Sequence, residues 1–270
     1  MNNIEYMNKT KTIDINGESL AYYDTGKGNT TLLFLHGAFI KKEYWIGQLS
    51  YFSRKYRVIA VDLPGHGAST HNIGEWTGQR FGKDIGTFIE ALHLHGVIII
   101  GHSFGADVML ETVTVSTAHI SGLIEIDHMK NVGMELPREA VSQIVQGLHA
   151  DFEHTCVQFA KHALLTDATE PKIVSRLLAD YNQMDAEVGI PLLQNGFDYP
   201  KRAVALLKRL KLKLYSIHVN YTPTNEEPFK KYLGENYELH HMDGTCHYPM
   251  LENPDSLNKL LERIILKIEN

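Results

Sequence analysis

Short apolar runs, punctuated by glycine and asparagine, organise the first half of the chain. Residues 10–15 and 18–23 are β-like runs flanking Asn16-Gly17, a pair suited to a two-residue hairpin, so the chain is expected to open with antiparallel strands. Residues 31–35 and 57–61 are compact apolar runs and residues 97–100 are wholly aliphatic, the pattern of strands buried on both faces of a parallel sheet. Between them, residues 41–51 and 79–94 carry apolar side chains at helical spacing, although Gly82 and Gly86 weaken the second stretch. The resulting order is β-α-β-α-β.

Residues 105–115 continue with a helix and 122–126 with a strand, extending the alternation of a doubly wound sheet. The rhythm then breaks. From about 129 to 209 there are helical patterns around 140–148, 152–164 and 173–181 but no buried strand pattern, which predicts an all-helical insertion. Residues 212–219 and 237–241 resume the sheet, and 256–268 form a closing amphipathic helix. This divides the chain into a core of residues 1–127 and 210–270 and a helical insertion of residues 128–209.

The strongest chemical signal is Gly101-His102-Ser103-Phe104-Gly105, which lies between an aliphatic strand and a helical run. A sharp strand-to-helix turn projects a serine hydroxyl, and small flanking residues let strand and helix approach closely; this pattern makes Ser103 a candidate nucleophile. The positive end of the following helix faces the same point, so the N–H of Phe104 is a candidate oxyanion donor. His36-Gly37-Ala38-Phe39 ends the first parallel strand and offers the N–H of Ala38 as a second donor. In Asp62-Leu63-Pro64-Gly65-His66-Gly67-Ala68-Ser69, Asp62 and His66 read as organisers of a tight loop rather than as catalysts.

Composition narrows the class without naming a reaction. Hydrophobic residues make up 43% and charged residues 21%, which excludes disordered and membrane-spanning chains. The net charge of −6 argues against a nucleic-acid partner. No basic segment followed by an apolar run opens the chain, so a cytoplasmic protein with no membrane attachment is expected. Cys156 and Cys246 are expected to be free thiols, and the scattered histidines lack metal-ligand spacing, so no metal or cofactor is expected. A homodimer remains open as a common assembly.

In these motifs, taken with Gly244-Thr245-Cys246-His247-Tyr248-Pro249-Met250-Leu251-Glu252-Asn253-Pro254, the chain resembles the α/β-hydrolase superfamily over nearly its whole length. The resemblance implies a mostly parallel, eight-stranded-type sheet flanked by helices, with the insertion as a cap over the pocket. It also implies His247 as the general base for Ser103. The acid departs from the usual pattern. The segment Asn220-Tyr221-Thr222-Pro223-Thr224, where most relatives carry it, has no carboxylate. Certain family members take the acid from the end of the preceding strand, and Asp127 stands there; Glu226 and Glu227 are the alternatives.

A serine nucleophile implies an acyl-enzyme, so a carboxylic ester, lactone or thioester is the expected substrate class. Carbon–carbon bond hydrolysis, perhydrolysis and a non-catalytic binding role are the alternatives. The elbow does not match the tryptophan-containing motif of proline iminopeptidases. Phe39, Met129, Phe152, Phe159 and Tyr248 are the candidate contacts for a small or medium, largely apolar acyl substrate.

Overall fold

The computed structural model describes residues 9–26, 28–72 and 74–270. Eight strands form one sheet in the order β1-β2-β4-β3-β5-β6-β7-β8. Strands β1 (Lys11–Ile15) and β2 (Glu18–Asp24) form the expected hairpin over Asn16-Gly17, both of which adopt positive φ. β2 pairs antiparallel with β4 (Arg57–Val61), and from β4 onward every pairing is parallel: β3 (Thr31–Leu35), β5 (Val97–His102), β6 (Ile120–Ile126), β7 (Leu214–Val219) and β8 (Tyr237–Met242). The central strands β3 and β5 are buried at every position, which is why they read as unbroken apolar runs.

Helices α1 (Ile46–Phe52), α2 (Gly78–Ala91) and α3 (Phe104–Val115) connect the first parallel strands. Gly82 and Gly86 do not break α2. A Cβ at Gly82 would lie 2.4 Å from Cβ of Glu111, and one at Gly86 2.8 Å from a Val115 methyl, so both glycines let α2 pack tightly on α3.

Between β6 and β7 the chain carries α4 (Arg138–Ala150), α5 (Phe152–Phe159), a π-helical turn (Ala160–Leu164), α6 (Pro171–Asn182) and α7 (Ala186–Leu207), with no strand. The 22-residue α7 lies beyond the three helical patterns expected in the insertion, and it contains two prolines, Pro191 and Pro200, which cannot donate helical hydrogen bonds. Both lie inside the helix. Its buried residues Val188, Leu192, Tyr199, Ala203 and Leu206 recur at helical spacing, and their packing offsets the backbone hydrogen bonds that the prolines cannot donate. After β7, α8 (Glu227–Leu233), the short α9 (Pro249–Glu252) and the amphipathic α10 (Pro254–Glu269) complete the fold.

The insertion is tied to the core by specific polar contacts. Asp180 of α6 accepts from Lys41 Nζ at 2.6 Å and from Tyr44 Oη at 2.8 Å. Arg202 of α7 makes a two-pronged pair with Glu111 of α3, at 2.8 and 2.9 Å. Tyr181 and Tyr248 share a 2.9 Å hydroxyl contact.

Candidate active site

Ser103 stands between β5 and α3 with φ 52° and ψ −126°, a conformation that an L-residue rarely adopts. Glycine on either side makes this turn possible. A Cβ at Gly105 would fall 2.4 Å from the Leu35 carbonyl oxygen, and one at Gly101 2.5 Å from the Gly105 carbonyl oxygen. The Ser103 N–H donates to Ile126 O at 3.1 Å, which pins the elbow to the end of β6. Phe104 opens α3, where first-turn N–H groups have no intrahelical acceptor, and its ring packs edge-on against Phe81 at 5.3 Å.

His247 approaches from the loop between β8 and α9. Its N–H donates to Leu164 O at 3.0 Å, so the insertion itself helps to hold this loop. Its carbonyl receives His102 Nε2 at 2.8 Å. On the far side of the ring, Nδ1 lies 2.7 Å from Oδ2 of Asp127. Both side chains are almost fully buried, at 8% and 0% exposure. The strand-end carboxylate thus meets the histidine, in the arrangement that fixes an imidazole tautomer and stabilises an imidazolium.

Asp127 has its own support. It sits at the end of β6 with φ 50°, and its Oδ1 accepts from Val219 N at 2.8 Å and from Lys130 Nζ at 2.7 Å. Burial pushes its carboxyl upward, but hydrogen bonds and charge from His247 and Lys130 win and hold it well below the usual carboxylate range. The same ammonium reaches Val219 O at 2.6 Å and Thr222 Oγ1 at 2.8 Å, and lies 4.3 Å from the centre of the Tyr221 ring. Tyr221 Oη is 3.5 Å from His247 Nδ1. The loop after β7 therefore supplies a tyrosine and a lysine-bound threonine where a carboxylate is usual. Lys130 and Tyr221 were not among the expected site residues.

The alternative acids are engaged elsewhere. Glu226 accepts from Tyr237 Oη at 2.9 Å, and both Glu226 and the exposed Glu227 pair with Lys230. Asn220 donates to Asp243 at 2.6 Å. Asp62 binds the Lys42 backbone N–H at 2.7 Å, Lys42 Nζ at 2.8 Å and the Ala68 N–H at 2.9 Å, so it organises its loop as anticipated. His66 accompanies it, with its ring 5.0 Å from His36 and its titration pushed down to about 3 by burial.

A cavity of about 370 Å³ is lined by Gly37, Ala38, Ser103, Phe104 and His247 together. Its remaining wall is mostly apolar, drawn largely from the insertion: Ile144, Leu148, Leu192, Leu193 and Phe197. Of the expected substrate contacts, Phe39, Phe159 and Tyr248 line this cavity. Two do not. Phe152 packs behind Phe39, ring centres 5.8 Å apart, and against Gly189. Met129 lines a neighbouring cavity of about 640 Å³. The aliphatic residues of α4 and α7 were missed because core and pocket positions on an amphipathic helix share one periodicity. Cys156 also lines the catalytic cavity as a free thiol, and burial pushes it up to about 12, which keeps it protonated.

Among the described residues there is no group of three or more histidine, cysteine or acidic side chains that could hold a metal ion. No helix among them is long and apolar enough to cross a membrane.

The chain belongs to the alpha/beta hydrolase family, with residues 32–260 matching. It is similar to an (E)-2-((N-methylformamido)methylene)succinate hydrolase of Acinetobacter baylyi, 31% identical over 148 residues, or 53% of this chain and 56% of that protein. Thus the match spans only about half the length of that relative. A 3-oxoadipate enol-lactonase of the same organism is 25% identical over 65% of this chain and 66% of its own. Among solved structures, a thermophilic esterase from Thermogutta terrifontis has the same fold, with a TM-score of 0.83 and 17% identity over 97% of this chain and 100% of that one.

Proposed function

We propose that this protein is a serine hydrolase that cleaves a carboxylic ester or lactone through an acyl-enzyme on Ser103. The observation that carries the reading is the 2.7 Å His247–Asp127 contact, beside a cavity whose wall presents His247 and the strained Ser103 together.

In this reading the Ser103 hydroxyl oxygen bonds to the substrate carbonyl carbon while His247 Nε2 takes the hydroxyl proton. The carbonyl π pair moves to oxygen, and the N–H groups of Phe104 and Ala38 receive the oxyanion. Asp127 stabilises the imidazolium without itself becoming protonated. As the tetrahedral centre collapses, the bond to the leaving oxygen breaks and His247 returns the proton to it. Water repeats the sequence on the acyl-enzyme, which releases the acid and restores Ser103.

The hydrolase and ester-hydrolase names of the relatives support this reaction class, and the apolar cavity supports an acyl group of small or medium size. The test compares the protein with Ser103→Ala on p-nitrophenyl esters of increasing acyl length. Hydrolysis that disappears in the variant supports the reading, and hydrolysis that survives it sinks the assignment of Ser103.

A further inference from the structure

A second histidine–carboxylate pair stands beside the first. His128 follows Asp127 directly, and its Nε2 lies 2.9 Å from Oδ1 of Asp107, one turn beyond Ser103 on α3. Two elements, β6 and α7, brace this pair. The His128 backbone N–H donates to Glu125 at 3.0 Å, and the Asp107 carbonyl accepts from Tyr199 Oη of α7 at 3.2 Å. The imidazole is one-third exposed, and its Nδ1 has no hydrogen-bond partner among the described residues.

The position of the pair gives it a purpose. Asp107, His128, Phe159, Leu164 and Gly196 line both the catalytic cavity and the neighbouring 640 Å³ cavity, so the pair sits on the wall where the two meet. The larger cavity is also lined by Tyr221, whose hydroxyl touches His247. That contact is on the Asp127 side of the ring; with the apolar catalytic cavity taken up by the acyl group, the second cavity, reached past His128 and Asp107, is the space left for the leaving group. Lys130 lines this cavity too, but its ammonium is engaged by Asp127, Val219 O and Thr222.

Few polar groups placed on an apolar wall fix the orientation of a ligand. Resting on the serine-hydrolase reading above, we propose that His128, braced by Asp107, is a specificity-determining residue that donates from Nδ1 to a carbonyl or carboxylate oxygen on the leaving-group portion of the substrate. Burial opposes charge on this ring, yet Asp107, with Glu125 and Asp127, lifts its titration to about 9, so at neutral pH both ring nitrogens carry protons and Nδ1 is a donor.

Three butyrate esters of similar leaving-group basicity separate the possibilities: pentyl butyrate, 4-oxopentyl butyrate and 4-(butyryloxy)butanoate. The protein should prefer the two acceptor-bearing esters over pentyl butyrate in kcat/KM by about tenfold or more, the scale of one hydrogen bond to a charged group. His128→Phe should collapse that ratio through KM, and His128→Asn, which keeps a short amide donor, should restore part of it. Preference for the ketone alone or the carboxylate alone would identify the acceptor.

Equal ratios in the protein and His128→Phe, or the same factor lost on all three esters, would overturn the proposal. Binding of the free alcohols to Ser103→Ala, followed by ligand-observed NMR, gives a readout without turnover. There, 5-hydroxypentan-2-one or 4-hydroxybutanoate should bind more tightly than 1-pentanol, and His128→Phe in that background should abolish the difference. That contrast holds even if no ester is cleaved, an outcome that would count against the Ser103 reading instead. Its absence counts against His128.

Discussion

Lys130 Nζ lies 2.7 Å from Oδ1 of Asp127, while His247 Nδ1 lies 2.7 Å from Oδ2 of the same carboxylate. One buried anion is thus held between a fixed cation and the histidine that the proposed reaction must charge. Removal of the cation leaves the carboxylate with His247 and the Val219 N–H as its partners. Lys130→Met should lower stability by up to about 3 kcal/mol, the lower end for breaking a buried pair from one side. Urea unfolding at pH 7 measures it.

The pH dependence of that loss has a defined sign. The Asp127 carboxyl is held below its unfolded value of about 3.9, so it contributes stability above that pH, and the contribution is lost as pH falls through the folded value. Because Lys130 supplies part of this effect, the stability gap between the protein and Lys130→Met should narrow at acid pH, where Asp127 takes up its proton in the folded variant before it does so in the folded protein. A gap that stays constant down to the acid unfolding of the variant would show that the pair is not ionic in the folded state.

Asp127→Asn should reduce kcat by about 10³–10⁴-fold, the scale on which loss of the triad carboxylate acts elsewhere. Asn220→Ala and Glu226→Gln should stay within about threefold of the parent, since surface changes away from such features are usually small. Steady-state rates on one p-nitrophenyl ester decide this. Near-parental turnover in Asp127→Asn would remove it from the triad.

The part of this site legible in the sequence is the part built from local rules. A strand, a Gly-x-Ser-x-Gly turn and a helix are contiguous, so Ser103 and Phe104 could be placed from spacing and backbone sterics alone. Asp127 could be reached because it ends a readable strand. Lys130 and Tyr221 could not, since their roles depend on the end of β6 meeting the loop after β7, 91 positions apart. Likewise nothing in the sequence links Asp107 of α3 with His128, 21 positions on, which the fold brings to 2.9 Å from it. The helical character of the insertion was legible, but its last helix, Ala186–Leu207, was not placed; Pro191 and Pro200 lie inside it.

Gly37 should tolerate no side chain. A Cβ there would stand 2.9 Å from His102 Nδ1 and 3.0 Å from Cβ of Ser103, so an alanine must displace the elbow or the neighbouring candidate oxyanion donor at Ala38. Gly37→Ala should lower kcat about 10–100-fold, since misplacement of about 1 Å at a reacting group costs on that order. An unchanged kcat would indicate that the loop moves freely.

His128 gives a second pH signature. Its titration, raised to about 9, exceeds the ordinary value near 6.5, so its charge stabilises the fold fully below that value and the benefit is lost as pH rises through about 9. The facing groups are the carboxylates of Asp107, Glu125 and Asp127. The stability difference between the protein and His128→Phe should therefore be larger at pH 6 than at pH 10. Urea titrations at the two pH values measure it, and a difference independent of pH would show that the ring is held uncharged.

The most direct measurement of the central claim is covalent labelling. The protein and its Ser103→Ala variant are treated with a fluorophosphonate and read by intact mass and peptide mapping. The account predicts a single adduct on Ser103 that is absent from the variant and accompanied by loss of ester hydrolysis. No adduct on the folded protein, or an adduct that persists in Ser103→Ala, would contradict it.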